Sequence, residues 1–377
     1  MDKNNTLLIL DLLQSWLEIR KVVSATLELN ASCEDLARKR FIITLLAHQD
    51  EEVLAAQLDN IRFYNPDAGI VLYNGGPDQD FAKHLNVCKF PYSHPLKYGN
   101  LAPFLWEVMK WLEDLHIEYK YLMNLDHDML FVKHGFETFL DERMAQSDCM
   151  GWRLQNSHEH PDSLPIRGMS REWHKWQPVF KTDHFLSYFN PGQVYTHDIV
   201  RRMLSYVDHA TVDQMLVNSK TFALEEVFFV TLALACGGRI REYPEGSEYN
   251  DMVHWGANIT FANVLQSRQN PYYYWIHPIK GEELITLSQQ LRTMSVEGPA
   301  GQQQLDEKVE PIQPITRIPN RNGSLYMQAK RKKNVIRKNF ICKNAKRVIK
   351  KRKKTTKSIP KKKRKHAISR NLAKKRR

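Results

Sequence analysis

Phe41-Ile-Ile-Thr-Leu-Leu-Ala-His-Gln-Asp-Glu-Glu52 decides the fold. Six apolar residues and one threonine in a row suit a strand buried on both faces of a parallel sheet. The acids that follow suit the first turn of a helix, where the dipole favours negative charge, and Leu54, Leu58 and Ile61 mark its apolar face. Asn65-Pro66-Asp67 closes that unit. Gly69-Ile-Val-Leu-Tyr73 then reads as a second strand, stopped by Asn74-Gly75-Gly76-Pro77. Phe104, Val108, Trp111, Leu112 and Leu115 mark a second helix before a third apolar run, Tyr119-Lys-Tyr-Leu-Met-Asn-Leu125. The β-α-β-α-β alternation predicts an α/β fold with a doubly wound, mainly parallel sheet flanked by helices. Its ligand crevice should lie at the carboxyl ends of the strands.

The third run ends in Asp126-His127-Asp128 and resumes at once as Met129-Leu130-Phe131-Val132. Two carboxylates one residue apart at a strand end present acidic oxygens to that crevice. Hard cations such as Mg²⁺ and Mn²⁺ prefer such oxygens and complete their shell with water and substrate phosphates. A metal that holds a diphosphate leaving group is the chemistry of a sugar-nucleotide glycosyltransferase. The bland alternative is an ordinary strand-end turn. Asn74, Gly75, Gly76 and Asp78, after the second strand, form a glycine-permissive turn suited either to a donor nucleoside or to simple chain reversal.

Downstream, Asp148-Cys-Met-Gly-Trp-Arg-Leu154 reads as a strand, and residues 155–192 as a long irregular segment rich in His, Trp and Pro. A loop of that length is usually functional or mobile. Its His158, His160, His174 and His184 match no zinc spacing. Trp152, Trp173 and Trp176 are candidates to pack on the C–H face of an acceptor sugar, or else to anchor the loop. Asp198–Val207 and Glu225–Cys236 read as helices and Arg239–Tyr243 as a strand. Glu225 and Glu226 open a buried helix: they either cap it or supply the single general base that an inverting glycosyl transfer needs. Desolvation there would raise a carboxylate's proton affinity.

Composition divides the chain. Residues 330–377 hold 25 Lys or Arg and no Asp or Glu, so all 42 acids lie in the body, against 30 basic residues. The tail cannot bury a core and is expected to be disordered alone, with a polyanion as partner: nucleic acid, anionic lipid or an acidic surface polymer. Its clusters Lys350–Lys354 and Lys361–Lys365 would serve nuclear targeting in a eukaryote. Five cysteines, Cys33, Cys88, Cys149, Cys236 and Cys342, lack paired spacing, which argues against disulfides and zinc and for a reducing, cytoplasmic setting. No signal peptide or transmembrane stretch is legible. Residues 6–29 are amphipathic, with Ile9, Leu13, Trp16, Ile19 and Val23 at helical spacing. The expected organisation is an N-terminal helical segment over 1–40, an α/β domain over 41–281, a polar linker over 282–329 and a basic tail over 330–377.

With these residues on the page, the chain resembles the nucleotide-diphospho-sugar transferase (GT-A) fold, and within it the branching N-acetylglucosaminyltransferase and xylosyltransferase superfamily. The resemblance rests on Phe41–Glu52, on Tyr121–Val132, on Tyr188-Phe-Asn-Pro-Gly-Gln-Val-Tyr195 and on Leu224-Glu-Glu-Val-Phe-Phe229. It implies a glycosyltransferase, hexosyl- or N-acetylhexosaminyl-type, that moves a sugar from a nucleotide-diphosphate donor, a UDP-sugar first, to a hydroxyl on a glycan, protein or small molecule. It implies Glu226 as base with Glu225 beside it; His48, Asn74, Asp126, Asp128 and Lys280 toward the donor and its diphosphate; and His277 completing a metal shell with Asp126 and Asp128. Trp152 and Gln193 would face the acceptor. The superfamily works largely without metal and lacks the two aspartates, so Mn²⁺ or Mg²⁺ and a metal-free mechanism both stay open. The rival expectation is a non-catalytic protein that binds polyanions through its tail.

Overall fold

The computed structural model describes residues 31–296. The amphipathic N-terminal stretch, most of the expected linker and the basic tail lie outside the described residues.

A helical turn, Ala31–Glu34, runs through a 3-10 turn, Asp35–Arg38, into β1, Phe41–Ala47. Every residue of β1 is buried. Its side chains alternate: Ile42 and Leu46 enter one apolar cluster, and Phe41, Ile43 and Leu45 enter the other. Helix α1, Glu51–Tyr64, follows as its pattern predicts, and Asp50 caps it by accepting from the Val53 amide at 3.3 Å. Next come β2, Gly69–Asn74; a short β3, Cys88–Lys89; helix α2, Ala102–Asp114; and β4, Tyr121–Asp126. Strand β5, Leu130–Phe131, helix α3, Phe136–Arg143, and β6, Cys149–Asn156, lead into the middle of the chain.

The segment expected to be irregular is largely ordered as helix α4, Leu164–Phe180, and strand β7, Leu186–Thr196. Ile166, Met169, Trp176 and Phe180 are buried at helical spacing. Pro165 hid this pattern, although proline is tolerated in a first helical turn. Helices α5, His197–Tyr206, α6, His209–Asn218, and α7, Glu225–Ala235, precede β8, Ile240–Glu242. Helix α8, Phe261–Gln269, strand β9, Trp275–Ile276, and helix α9, Glu282–Val296, complete the described chain. The first fifteen residues read as linker are thus helix. Leu284, Leu287, Leu291 and Met294 are buried, and α9 packs on α1 with the Tyr64 hydroxyl 3.2 Å from Ser295 Oγ.

The main sheet runs β3-β2-β1-β4-β7-β6-β8, and β5 pairs with β9 in a second small sheet. All neighbours in the main sheet are parallel except where β7 pairs antiparallel with β4 and β6. Helices α2, α4, α5, α6 and α7 line one face. Helices α1, α3 and α9, with the small sheet, line the other. Strand order turns back between β1 and β4, and a crevice at their carboxyl ends is where open α/β sheets take ligands. No helix among the described residues is long and apolar enough to cross a membrane.

The cysteines are not all free. Cys33 and Cys88 form a disulfide, 55 residues apart in sequence with Cα atoms 4.7 Å apart. The first helical turn packs against edge strand β3, and that proximity exists only in three dimensions. Cys149 and Cys236 remain free thiols. Replacing both bridge cysteines by serine is expected to lower stability by about 2–4 kcal/mol in urea unfolding of the full chain. Peptide mapping under non-reducing conditions should recover Cys33 and Cys88 linked; both thiols alkylating freely in the folded protein would contradict the bridge.

Candidate active site

The crevice begins where β4 and β7 part. Their ladder covers only Tyr121–Met123 against Thr196–Val194. Beyond it β7 reads Asn190-Pro191-Gly192: proline has no N–H to donate, and Gly192 sits at φ +78° with the Trp275 ring where a Cβ would be. Buried Asn124 bridges the gap instead. Its amide donates to the Asn190 carbonyl and to Asn190 Oδ1, both at 2.9 Å, and its Oδ1 accepts from the Gln193 amide at 2.7 Å. Asn190 in turn donates to both Asp126 oxygens at 3.2 Å.

On the other side of the turn, buried Gln57 of α1 donates to the Asp126 and Met129 carbonyls at 2.8 and 2.9 Å. The later segment after β9 closes over it: the Ile279 amide donates to the Asp128 carbonyl at 2.8 Å. His277 Nε2 lies 3.2 Å from Asp128 Oδ1, and Lys280 Nζ lies 3.8 Å from Asp128 Oδ2. His277 Nδ1 is 2.8 Å from the His254 carbonyl, so that nitrogen carries a proton and donates, leaving Nε2 to face the carboxylates. His48 and His127 meet edge to face at 5.1 Å beside them.

Asp126, Asp128 and His277 offer ligand atoms within 4.8 Å of one another. Their titration reflects the crowding. Burial, then the Asp128 charge, pushes Asp126 up to about 6. Burial pushes Asp128 up as well, but the His277 hydrogen bond and charge outweigh it and hold that carboxyl low. Burial opposes protonation of His277, and Asp128 overcomes it. Two carboxylates and an imidazole with its second nitrogen already bonded suit Mn²⁺ or Mg²⁺. A dication would relieve the repulsion that now raises Asp126.

The opposite wall carries the two glutamates of α7. Glu225 is buried and accepts from the Leu101 amide at 2.9 Å, which ties the start of α2 to the start of α7. Burial raises it to about 7. Glu226 is half-buried, and among the described residues its carboxylate accepts a single, long hydrogen bond, 3.4 Å from the Asn190 amide. Burial, then Glu225, raises its proton affinity well above that of a free carboxylate, with Arg153 opposing. Asn190 therefore touches both Asp126 and Glu226.

Sequence reasoning missed the groups that hold this arrangement, Asn124, Asn190, Gln57 and His254, and also Glu172 of α4. Glu172 Oε2 accepts from Ser219 Oγ, the Lys220 and Thr221 amides and Thr221 Oγ1 at 2.6–3.1 Å, fixing the loop that enters α7. The signal was present for the asparagine: a polar residue inside an apolar strand must find partners. Two expected acceptor residues are elsewhere. Trp152 is 2% exposed, packed on Tyr243, Tyr273 and Trp275, and Gln193 is fully buried with Oε1 accepting from Tyr195. Both alternate into the core because β6 and β7 are interior strands. Asn74 closes its own turn, donating to the Asp78 carbonyl at 2.6 Å and accepting from the Gly76 amide at 3.0 Å.

No family model matches the chain, and no curated protein matches it in sequence. By fold, it is similar to the galactosyltransferase LgtC in complex with donor and acceptor sugar analogues: TM-score 0.36, 10% identity, covering 67% of this chain and 97% of that one. An active-site mutant of LgtC gives TM-score 0.36 and 11% identity over 66% and 96% of the two chains.

Mn²⁺ titrated into the full chain by calorimetry should bind, and Asp128→Asn should remove that binding. Asn190→Ala, which frees Asp126 to rotate, is expected to weaken it roughly 10–100-fold. Undiminished Mn²⁺ affinity in Asp128→Asn would take the metal out of this site. A separate test concerns Glu172. Burial raises its carboxyl, but four donors and Lys175 outweigh that and hold it down at about 2. A depressed folded value contributes stability above the ordinary carboxylate range, lost as pH falls from about 4.5 toward 2. Glu172→Gln should cost roughly 1–3 kcal/mol at neutral pH and flatten the acid limb of the thermal stability profile.

Proposed function

We propose that this chain is a glycosyltransferase of the GT-A type that moves a sugar from a nucleotide diphosphate to an acceptor hydroxyl. One observation carries the reading: Asp126, Asp128, His277 and Lys280 converge at the strand-order reversal between β1 and β4, with Glu226 on the facing wall joined to them through Asn190. The alternation of strands and helices, with a single antiparallel strand entering beside the acidic turn, supports the same reading.

A cation held by Asp126, Asp128 and His277 would supply charge to the departing diphosphate. Lys280, exposed at its tip, adds a compact positive charge on the same side. His48 and His127 lie beside the two strand ends the donor would cross. Glu226 takes the proton from the acceptor hydroxyl as its oxygen attacks the anomeric carbon. The bond from that carbon to the diphosphate oxygen breaks, and the nucleoside diphosphate leaves with the bonding pair. A single base and a single displacement give inversion at the anomeric carbon. Burial favours this role, because it raises the affinity of Glu226 for the proton it must take.

The Cys33–Cys88 bridge supports an oxidising compartment in place of the expected cytoplasm.

Glu226→Gln should lower transfer roughly 10²–10⁴-fold while UDP affinity, measured by calorimetry, stays within a few-fold of the parent. Turnover near the parent's would reduce Glu226 to a helix cap. UDP should also bind more tightly with Mn²⁺ than with EDTA; equal affinities would favour a metal-free mechanism in which Lys280 alone neutralises the diphosphate.

A further inference from the structure

Arg153 has no part in the mechanism above, and its surroundings are unusual. It lies in β6 where the register to β7 shifts between Trp152 and Gln155, and its backbone is left-handed at φ +58°. A long non-glycine side chain in that region is strained, and such strain gathers at functional sites. Two contacts hold the conformation: the Arg153 amide donates to the Gly246 carbonyl at 2.6 Å, and the next amide, Leu154, donates to Glu242 Oε1 at 2.6 Å.

The guanidinium stacks over the Tyr249 ring, 4.1 Å from its centroid. Tyr249 meets Phe189 edge to face at 5.2 Å, and Phe189 meets His277 at 5.5 Å. Phe189 precedes Asn190 in β7 and pairs with Trp152 across the strands. Arg153 therefore borders the same crevice as Glu226, and its charge acts on both Glu226 and Tyr249.

It is also uncommitted. Arg202 and Arg239 both pair with Asp148, whereas among the described residues no carboxylate lies within 4.0 Å of Arg153. Its Nε is buried without a hydrogen-bond partner. A guanidinium stacked on Tyr249, with its buried Nε–H unspent, is arranged to receive an oxyanion in two parallel hydrogen bonds. Lys280 and the Asp126, Asp128 and His277 group are left to serve the diphosphate.

We propose that Arg153 is the specificity-determining residue of the acceptor side, and that it selects an acceptor saccharide bearing an anionic group. This rests on the glycosyltransferase reading. The oxyanion is either a uronic acid carboxylate or a sugar phosphate, and the bidentate fork suits both.

The test uses the full chain with UDP and Mn²⁺ present. Binding of p-nitrophenyl β-D-glucuronide, p-nitrophenyl β-D-glucoside and glucose 6-phosphate is compared by ligand-observed NMR titration. One of the two anionic probes should bind at least 10-fold more tightly than the neutral glucoside, and which one names the oxyanion. Arg153→Met should erase that preference and leave UDP affinity unchanged. Arg153→Lys, which keeps the charge but not the fork, should retain part of it, and thermal unfolding checks that both variants fold. No preference in the parent, or a preference that survives Arg153→Met, overturns the proposal. So does a loss of UDP binding in Arg153→Met, which would assign the guanidinium to the donor. If the parent binds no UDP at all, the glycosyltransferase reading fails and this one with it, whereas UDP binding without acid preference sinks the acceptor proposal alone.

Discussion

The parting of β4 from β7 is the constraint on which the site depends. A ladder continued past Met123 would pair Asn124–Asp126 with β7 and close the sheet where the crevice lies. Pro191 and Gly192 prevent it, one by lacking an N–H and the other by taking a backbone that leaves room for the Trp275 ring. The unpaired backbone must still be satisfied, since a buried polar group without a partner costs about 1–3 kcal/mol. Asn124 meets that demand with its side chain, standing in for the missing ladder rungs. The same asparagine orients Asn190 and so reaches Asp126. One side-chain amide thus stabilises the opening and, through Asn190, orients the Asp126 carboxylate.

The buried acids sort themselves by how completely the protein satisfies them. Glu172 has four donors and stays ionised, so it is a structural anchor. Glu225 has the Leu101 amide and closes the interface of two helix starts. Burial together with a neighbouring carboxylate, Asp128 for Asp126 and Glu225 for Glu226, leaves these two acids hungry for a proton. Groups of that kind persist where a substrate or cation completes them. The contrast separates Glu226 from Glu225, which adjacency in sequence could not do.

Much of the fold was legible because its signals are local. The apolar run of β1, the acids opening α1 and the stop at Asn74-Gly75-Gly76 each depend on a few neighbouring residues, and each element appears where the pattern put it. Asp126 and Asp128 were legible by residue type and strand position and His277 through the family resemblance, and the three do come together. What failed was either masked by proline or non-local. Composition marked 155–192 as loop, although Ile166, Met169, Trp176 and Phe180 carry a helix's apolar face between prolines. Trp152 and Gln193 were chosen for chemistry without knowing that β6 and β7 are interior strands whose side chains point inward. Cys33 and Cys88 share no spacing, only a packed edge.

The end of the body shows how site and scaffold are coupled. Closing the domain at residue 281 keeps every candidate ligand, yet α9 covers the outer face of α1 with Leu284, Leu287 and Leu291. Helix α1 carries Gln57, whose amide pins the carbonyls on either side of Asp128, and Asn60, which holds β5 by donating to the Phe131 carbonyl and accepting from its amide. Strand β5 pairs with β9, and β9 delivers His277. The acidic turn is therefore held between a helix that α9 clamps and a strand pair that brings the imidazole. A segment that reads as polar linker belongs to the folded domain because the helix beneath it holds the Asp126–Asp128 turn in register.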